Sequence, residues 1–231
     1  MRVLITRPEP DASALAELLR ARGHAPIVAP LMTIAVLPHK PPEGIEDAVL
    51  LFTSANGPRA ARAHHVRAAR RCFAVGEATA KSAREAGFEV EAVAEGNVES
   101  LAALAADRLP KEQLLVHVAG SDLAGDLVGA LGAQGFRAIG WTAYAARAAE
   151  TLPSPATAFL RGQPGTVLLY SPRSARLLVE LMEKDGLGEA ARHHRGLCLS
   201  QAVADSAHAI SWASLAVAAK PSQEALLNLL S

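Results

Sequence analysis

The sequence predicts an α/β protein made of two similar lobes, each a doubly wound parallel sheet with helices on both faces. Duplication is the first observation behind this. Val49-Leu50-Leu51-Phe52-Thr53-Ser54 returns as Val167-Leu168-Leu169-Tyr170-Ser171-Pro172, and Cys72-Phe73-Ala74-Val75-Gly76 as Leu197-Cys198-Leu199-Ser200. A second unit, Val3 to Met32, matches Leu115 to Tyr144 without a gap, setting Leu15 on Leu127, Leu19 on Leu131 and Gly23 on Gly135. With this unit called a and the other b, the order is a-b-a-b, which implies two related lobes. The second observation is the alternation of short apolar runs with turn-then-helix patterns, the signature of parallel sheets. The third is composition: 50% hydrophobic but 4% aromatic, a core of Ala, Leu and Val suited to close helix–sheet packing.

The elements follow in order. Val3-Leu4-Ile5 reads as a fully buried parallel strand. Thr6-Arg7-Pro8-Glu9-Pro10 must be a turn, because two prolines forbid both helix interior and central strand. Asp11 or Ser13 can cap the helix that follows, with Leu15, Leu18 and Leu19 on one face and Gly23 as its stop. Pro26 to Pro30 begins the next strand, and the pattern continues throughout. Pro38-His39-Lys40-Pro41-Pro42 and Thr151-Leu152-Pro153-Ser154-Pro155 read as linkers. If the chain hinges there, the first a and last b units form one lobe around the middle b-a. Sequential pairing, 1–110 with 111–231, is the alternative that periodicity leaves open.

Length and charge narrow the function. At 231 residues each half can bury a core. Lys+Arg and Asp+Glu are both 23, so no global field draws in nucleic acid or membrane, and an anionic ligand must be held by local groups. Cys72 and Cys198 lie in apolar runs and read as buried reduced thiols. The first apolar run is too short for a signal sequence, and no stretch approaches a membrane span, so a cytoplasmic protein is expected.

Ligands of doubly wound sheets meet the loops at the carboxyl ends of strands. Five such loops are polar or glycine-bearing: Thr6-Arg7-Pro8, Thr53-Ser54-Ala55-Asn56-Gly57, Val75-Gly76-Glu77-Ala78-Thr79, Ala119-Gly120-Ser121-Asp122 and Ser171-Pro172-Arg173-Ser174. Each precedes a helix whose free N–H groups favour anions. The candidate ligand-binding residues are therefore Thr6, Arg7, Ser54, Asn56, Gly76, Thr79, Ser121, Ser171 and Ser174. A ligand with carboxylates or phosphates on several sides suits them. No dinucleotide fingerprint, Walker loop or nucleophile elbow is present, and no metal site or cofactor is expected. His64-His65 and His193-His194 are adjacent pairs that diverge on a helix, and read as solvated. Arg67, Arg70 and Arg71 read as an exposed helix face, and His117 as a satisfied core histidine. Tyr144, ending the second a unit, is the candidate proton donor, because a phenol stays protonated at neutral pH. Tyr170 reads as packing.

Thr6-Arg7-Pro8, Thr53-Ser54-x-Asn56-Gly57, Val75-Gly76-x-x-Thr79-Ala80, Tyr144 and Ser171-Pro172-Arg173-Ser174, in this order, resemble the uroporphyrinogen-III synthase family over essentially the whole chain. The resemblance implies nested connectivity: residues 1–36 with 150–231 in one lobe, 37–149 in the other, joined by two extended crossings. It implies cofactor-free cyclisation of the linear tetrapyrrole hydroxymethylbilane, with inversion of the last ring and loss of water. Tyr144 matches the tyrosine proposed to assist loss of the hydroxyl. A monomer is implied, in transient contact with the enzyme that makes hydroxymethylbilane. The alternative function is a two-lobed regulator or binding protein that closes on a polycarboxylate without chemistry.

Overall fold

A computed structural model describes residues 1–66, 70–123 and 125–230, and in it the chain divides into two compact units. Met1–Thr33 and Arg147–Ser231 make the first unit, and Ile34–Ala146 makes the second. In chain order the elements are β1 (Arg2–Ile5), α1 (Asp11–Ala21), β2 (Ala25–Val28), β3 (Met32–Val36), β4 (Val49–Phe52), α2 (Asn56–Ala63), β5 (Arg71–Val75), α3 (Gly76–Glu85), β6 (Glu89–Ala94) and α4 (Val98–Arg108). Then follow β7 (Leu115–Gly120), α5 (Leu127–Ala133), β8 (Ala138–Ala148), α6 (Ser154–Leu160), β9 (Thr166–Leu169), α7 (Pro172–Lys184), β10 (Arg195–Cys198), α8 (Gln201–Ala207), β11 (Ser214–Val217) and α9 (Gln223–Leu227).

In the first unit the sheet order is β11-β10-β9-β1-β2, all parallel. Because alternate strand residues face opposite ways, Val3, Ile5, Leu168 and Leu197 meet Leu15 and Leu19 of α1 and Leu226 of α9. Leu4, Val167, Leu169 and Cys198 face the other way, toward Phe159 of α6 and Leu178 of α7. Each such fully buried side chain contributes about 1.5–3 kcal/mol of transfer free energy. The chain therefore leaves β1 toward one face and the adjacent β9 toward the other.

The second unit has the order β3-β8-β7-β4-β5-β6, with β4, β5, β6, β7 and β8 parallel. Leu50, Phe52, Val116 and Val118 pack on α2 and α3 through Ala60, Ala61 and Ala83. Val49, Leu51 and Leu115 pack on Leu101 of α4 and Leu131 of α5. Here the strand order reverses between β4 and β7, which send their following helices to opposite faces. Such a reversal opens a crevice at the carboxyl ends of the two strands.

The a-b-a-b order is thus folded in nested fashion: the first a with the last b, the middle b-a as an insertion. The passages between units fall within β3 and β8 rather than at the proline-rich stretches. Pro38–Pro42 belongs to the second unit, where Trp141 Nε1 donates to the His39 carbonyl at 3.0 Å. Thr151–Pro155 belongs to the first, with Leu152 buried and Pro155 in the opening turn of α6, where its missing N–H costs nothing.

Three further readings change. Neither Asp11 nor Ser13 supplies the acceptor that caps α1; the Glu9 carboxylate takes the Ser13 N–H at 3.0 Å. His194 is fully buried, because both ring nitrogens find backbone partners: Gly165 N–H donates to Nδ1 at 3.2 Å, and Nε2 meets the Leu160 carbonyl at 3.1 Å. Its ring stacks on Phe159 with centroids 4.8 Å apart. His193 and His65 are exposed, while His64 is half-buried against Trp141. Finally, α2 ends at Ala63 and Arg71 opens β5, so Arg70 and Arg71 form no helix face; Arg67 lies outside the described residues. Cys72 and Cys198 are buried free thiols, and burial pushes them up to about 12 and about 11. Among the described residues no helix is long and apolar enough to cross a membrane.

Candidate active site

In the second unit the carboxyl ends of β4 and β7 meet β8 at Tyr144. A bulge between Ala119 and Gly120 breaks the β7–β8 register, so Gly120 pairs with Tyr144. Ser121 N–H then donates to the Tyr144 carbonyl at 2.9 Å. Tyr144 is 8% exposed. Burial raises its phenol above the ordinary value, against opposing hydrogen bonds to the Ser54 side chain and the Gly120 backbone. The phenol is therefore a protonated donor over the whole physiological range.

Ser54 belongs to the loop that leaves β4. Its carbonyl accepts from Gly57 N–H at 3.0 Å, and its hydroxyl from Asn56 N–H at 3.3 Å. Asn56 opens α2, with its side-chain oxygen accepting from Arg59 at 3.2 Å. Across the loop, Ser82 of α3 donates to the Ala55 carbonyl at 2.8 Å, so the same loop touches both Tyr144 and α3. One residue earlier, Thr53 Oγ1 meets His117 Nε2 at 3.0 Å. Burial alone brings His117 down to about 4, so the ring is neutral. His117 is the satisfied core histidine that its setting in an apolar strand implies.

The helix starts differ in what they leave open. Glu9 occupies the first turn of α1, Asp126 accepts from Gly129 N–H in α5 at 2.8 Å, and Ser171 accepts from Ser174 N–H in α7 at 3.1 Å. By contrast, no side chain caps α3. Gly76, its first residue, has φ +73 and open space where a Cβ would stand. Thr79 lies buried in the same turn region. Ser121 is exposed, its hydroxyl 3.3 Å from Asp122 Oδ2.

In the first unit the corresponding reversal lies between β1 and β9. Thr6 is buried, its hydroxyl turned to the Leu168 carbonyl at 3.5 Å. Arg7 is held by Asp11 at 2.8 Å and Gln223 at 3.1 Å, with its guanidinium 4.4 Å from the Tyr170 ring centre. Burial pushes the Tyr170 phenol up to about 12, with the Arg7 charge opposing. Ser174 is buried, and its hydroxyl is 2.8 Å from that of Ser171. Thus Ser54, Ser121 and Tyr144 share one strand edge with Asn56 close by, whereas Thr6, Ser171 and Ser174 have hydroxyls engaged within their own unit. Among the described residues no three His, Cys, Asp or Glu side chains gather as a metal site.

A profile of the family described as Uroporphyrinogen-III synthase HemD matches residues 13–228. The chain belongs to the uroporphyrinogen-III synthase family. This makes it an enzyme of tetrapyrrole synthesis, whose family substrate is a tetrapyrrole. The fold is that of solved uroporphyrinogen-III synthases. The structure from Helicobacter pylori is similar at 16% identity and TM-score 0.66, over 99% of this chain and 97% of that one. A mutant uroporphyrinogen III synthase from the extremely thermophilic bacterium Thermus thermophilus is similar at 20% identity and TM-score 0.54, over 100% and 97%. No individually curated protein sequence matches significantly. The uroporphyrinogen-III synthase family match extends across both units and includes every residue of the Tyr144 strand edge.

Proposed function

We propose that the chain is a cyclising hydro-lyase that converts hydroxymethylbilane to uroporphyrinogen III, with inversion of the last ring and release of water. Family membership supports the reaction; the observation that carries the residue assignment is the buried, protonated phenol of Tyr144 beside Ser54 and Gly120. Tyr144 gives its proton to the departing hydroxyl, which leaves as water. The electron-poor carbon left behind is attacked by the last ring through its substituted carbon, and the resulting spiro intermediate fragments and recloses. Holding one folded conformation against uninverted closure is mainly a matter of positioning. Backbone amides at the uncapped start of α3, with Gly76 and Thr79, and the Ser54-Asn56 and Ser121 loops take substrate carboxylates in the second unit. In the first unit Arg7 supplies a guanidinium, and the Thr6 and Ser171 segments contribute through backbone N–H groups, since the Thr6 and Ser171 hydroxyls and both the hydroxyl and the N–H of Ser174 are engaged. The protein acts as a cytoplasmic monomer receiving its substrate from the enzyme that makes it.

The test is isomer analysis. Purified protein, fed enzymatically generated hydroxymethylbilane, should give mainly the type III isomer after oxidation and separation. Type I product alone at high protein concentration would leave a polycarboxylate-binding protein as the better account.

A further inference from the structure

We infer that Gly120 is a positioning residue for the Tyr144 phenol: the missing side chain at the end of β7 is the seat on which the tyrosine ring rests. The inference builds on the reading of Tyr144 as the proton donor. A Cβ built on Gly120 would lie 2.8 Å from Tyr144 Cε2, 3.0 Å from Cζ and 3.3 Å from Oη. A methyl group cannot occupy that space while the ring stays, so the phenol's present place depends on glycine. The crowded atoms are the hydroxyl end of the ring, the end that reaches Ser54. Gly120 is not placed in the positive-φ region, so a left-handed turn does not explain it.

The register supports the same conclusion. At Ala119 the two strands are paired with Thr142, and at Gly120 with Tyr144, so Ala143 is the extra residue of the bulge. Bulges re-aim side chains at the ends of strands, often beside active sites. Here the bulge brings Tyr144 opposite Gly120, and the glycine lets the ring lie across the β7 backbone. The Ser54 side chain then hydrogen-bonds the phenol. Bulge, glycine and serine together fix a flexible ring in one place, and an acid must be fixed to act on a leaving group.

The experiment is Gly120→Ala, read in three ways. Turnover should fall roughly tenfold or more, as expected for a displaced acid, with KM nearly unchanged. In tyrosine labelled with carbon-13 at Cζ, the chain gives two signals, one from each of its two tyrosines. The Tyr144 signal should shift in Gly120→Ala while that of Tyr170 stays. In the Tyr144→Phe background the same glycine change should cost little further turnover. Should Gly120→Ala fail to fold, the cycle moves to stability: Gly120→Ala/Tyr144→Ala should unfold at the same urea concentration as Tyr144→Ala, because the ring that clashes is gone. Equal cost in both backgrounds would assign Gly120 to the bulge alone and overturn the inference. So would an unmoved Tyr144 signal with wild-type turnover. If Tyr144→Phe itself turns over normally, the proton-donor reading fails, and the labelled signal still decides whether Gly120 seats the ring.

Discussion

The Nε2 atom of His117 and the Oγ1 atom of Thr53 stand 3.0 Å apart, tying the middle of β7 to the residue that follows β4. The pair spans the point where strand order reverses, and Thr53 leads directly into Ser54. A neutral imidazole satisfies the threonine without bringing a charge into the sheet. Burial has lowered His117 from 6.5 to about 4.

That shift predicts a pH window. Between pH 6.5 and about 4 the unfolded chain takes up a proton that the folded chain refuses. Stability present above pH 6.5 is therefore lost as pH falls, by on the order of 3 kcal/mol once both forms are protonated. His117→Gln keeps a side-chain donor and removes the titration. Urea midpoints at about pH 7 and about pH 4.5 should converge more in the variant than in the wild type; parallel declines would show that His117 does not titrate as its burial requires.

Tyr144→Phe removes the proton and keeps the ring. Turnover should fall by roughly tenfold or more, while KM changes little, because packing on Gly120 is unaltered. The urea midpoint should also stay close to wild type. Unchanged turnover would return the residue to a packing role.

The extent to which these features are legible in the sequence follows the range of the interaction. Val49–Phe52 and Leu115–Gly120 are readable as buried strands because continuous apolar runs encode burial on both faces. Aligning the repeats reveals the duplication but leaves the pairing of its units open, and it is the family resemblance that implies the nested fold. Tyr144 stands out as one of two tyrosines, but its contact with Gly120 depends on a one-residue bulge that period-two alternation does not record. A glycine closing an otherwise apolar strand is the available signal. His194 eludes sequence reading because an Arg-His-His-Arg surrounding suggests solvent, whereas two backbone groups distant in sequence, Leu160 and Gly165, satisfy the ring. Glu9 is overshadowed by Asp11 because cap preference favours short side chains, whereas the longer Glu9 side chain, two residues before the helix, reaches the Ser13 N–H.

Gly76 separates backbone strain from crowding. Its φ of +73 disfavours any L side chain, yet nothing lies within 4 Å of the Cβ position. Gly76→Ala should therefore cost about 1–2 kcal/mol, the left-handed penalty, with no added clash. Gly76→Asn should cost less, since asparagine tolerates that region. If the α3 amides hold a substrate carboxylate, Gly76→Val should also raise KM for hydroxymethylbilane beyond what Gly76→Ala does. Equal KM values in all three would remove this loop from the binding surface.

Arg7 gives the clearest test of charge in the first unit. Its guanidinium is already shared by Asp11 and Gln223 and rests over Tyr170, so its position is fixed before any substrate arrives. A fixed guanidinium recognises a carboxylate at lower entropic cost than a mobile one, and its attraction weakens with salt. Arg7→Ala should raise KM several-fold, leave the maximal rate within about twofold, and flatten the rise of KM with ionic strength. The exposed Arg20→Ala variant, with its guanidinium paired to Glu17 on the outer face of α1, should behave as wild type. If Arg7→Ala keeps both the wild-type KM and its salt dependence while remaining folded, the guanidinium serves the packing of Tyr170 and α1, and the carboxylate must be met elsewhere.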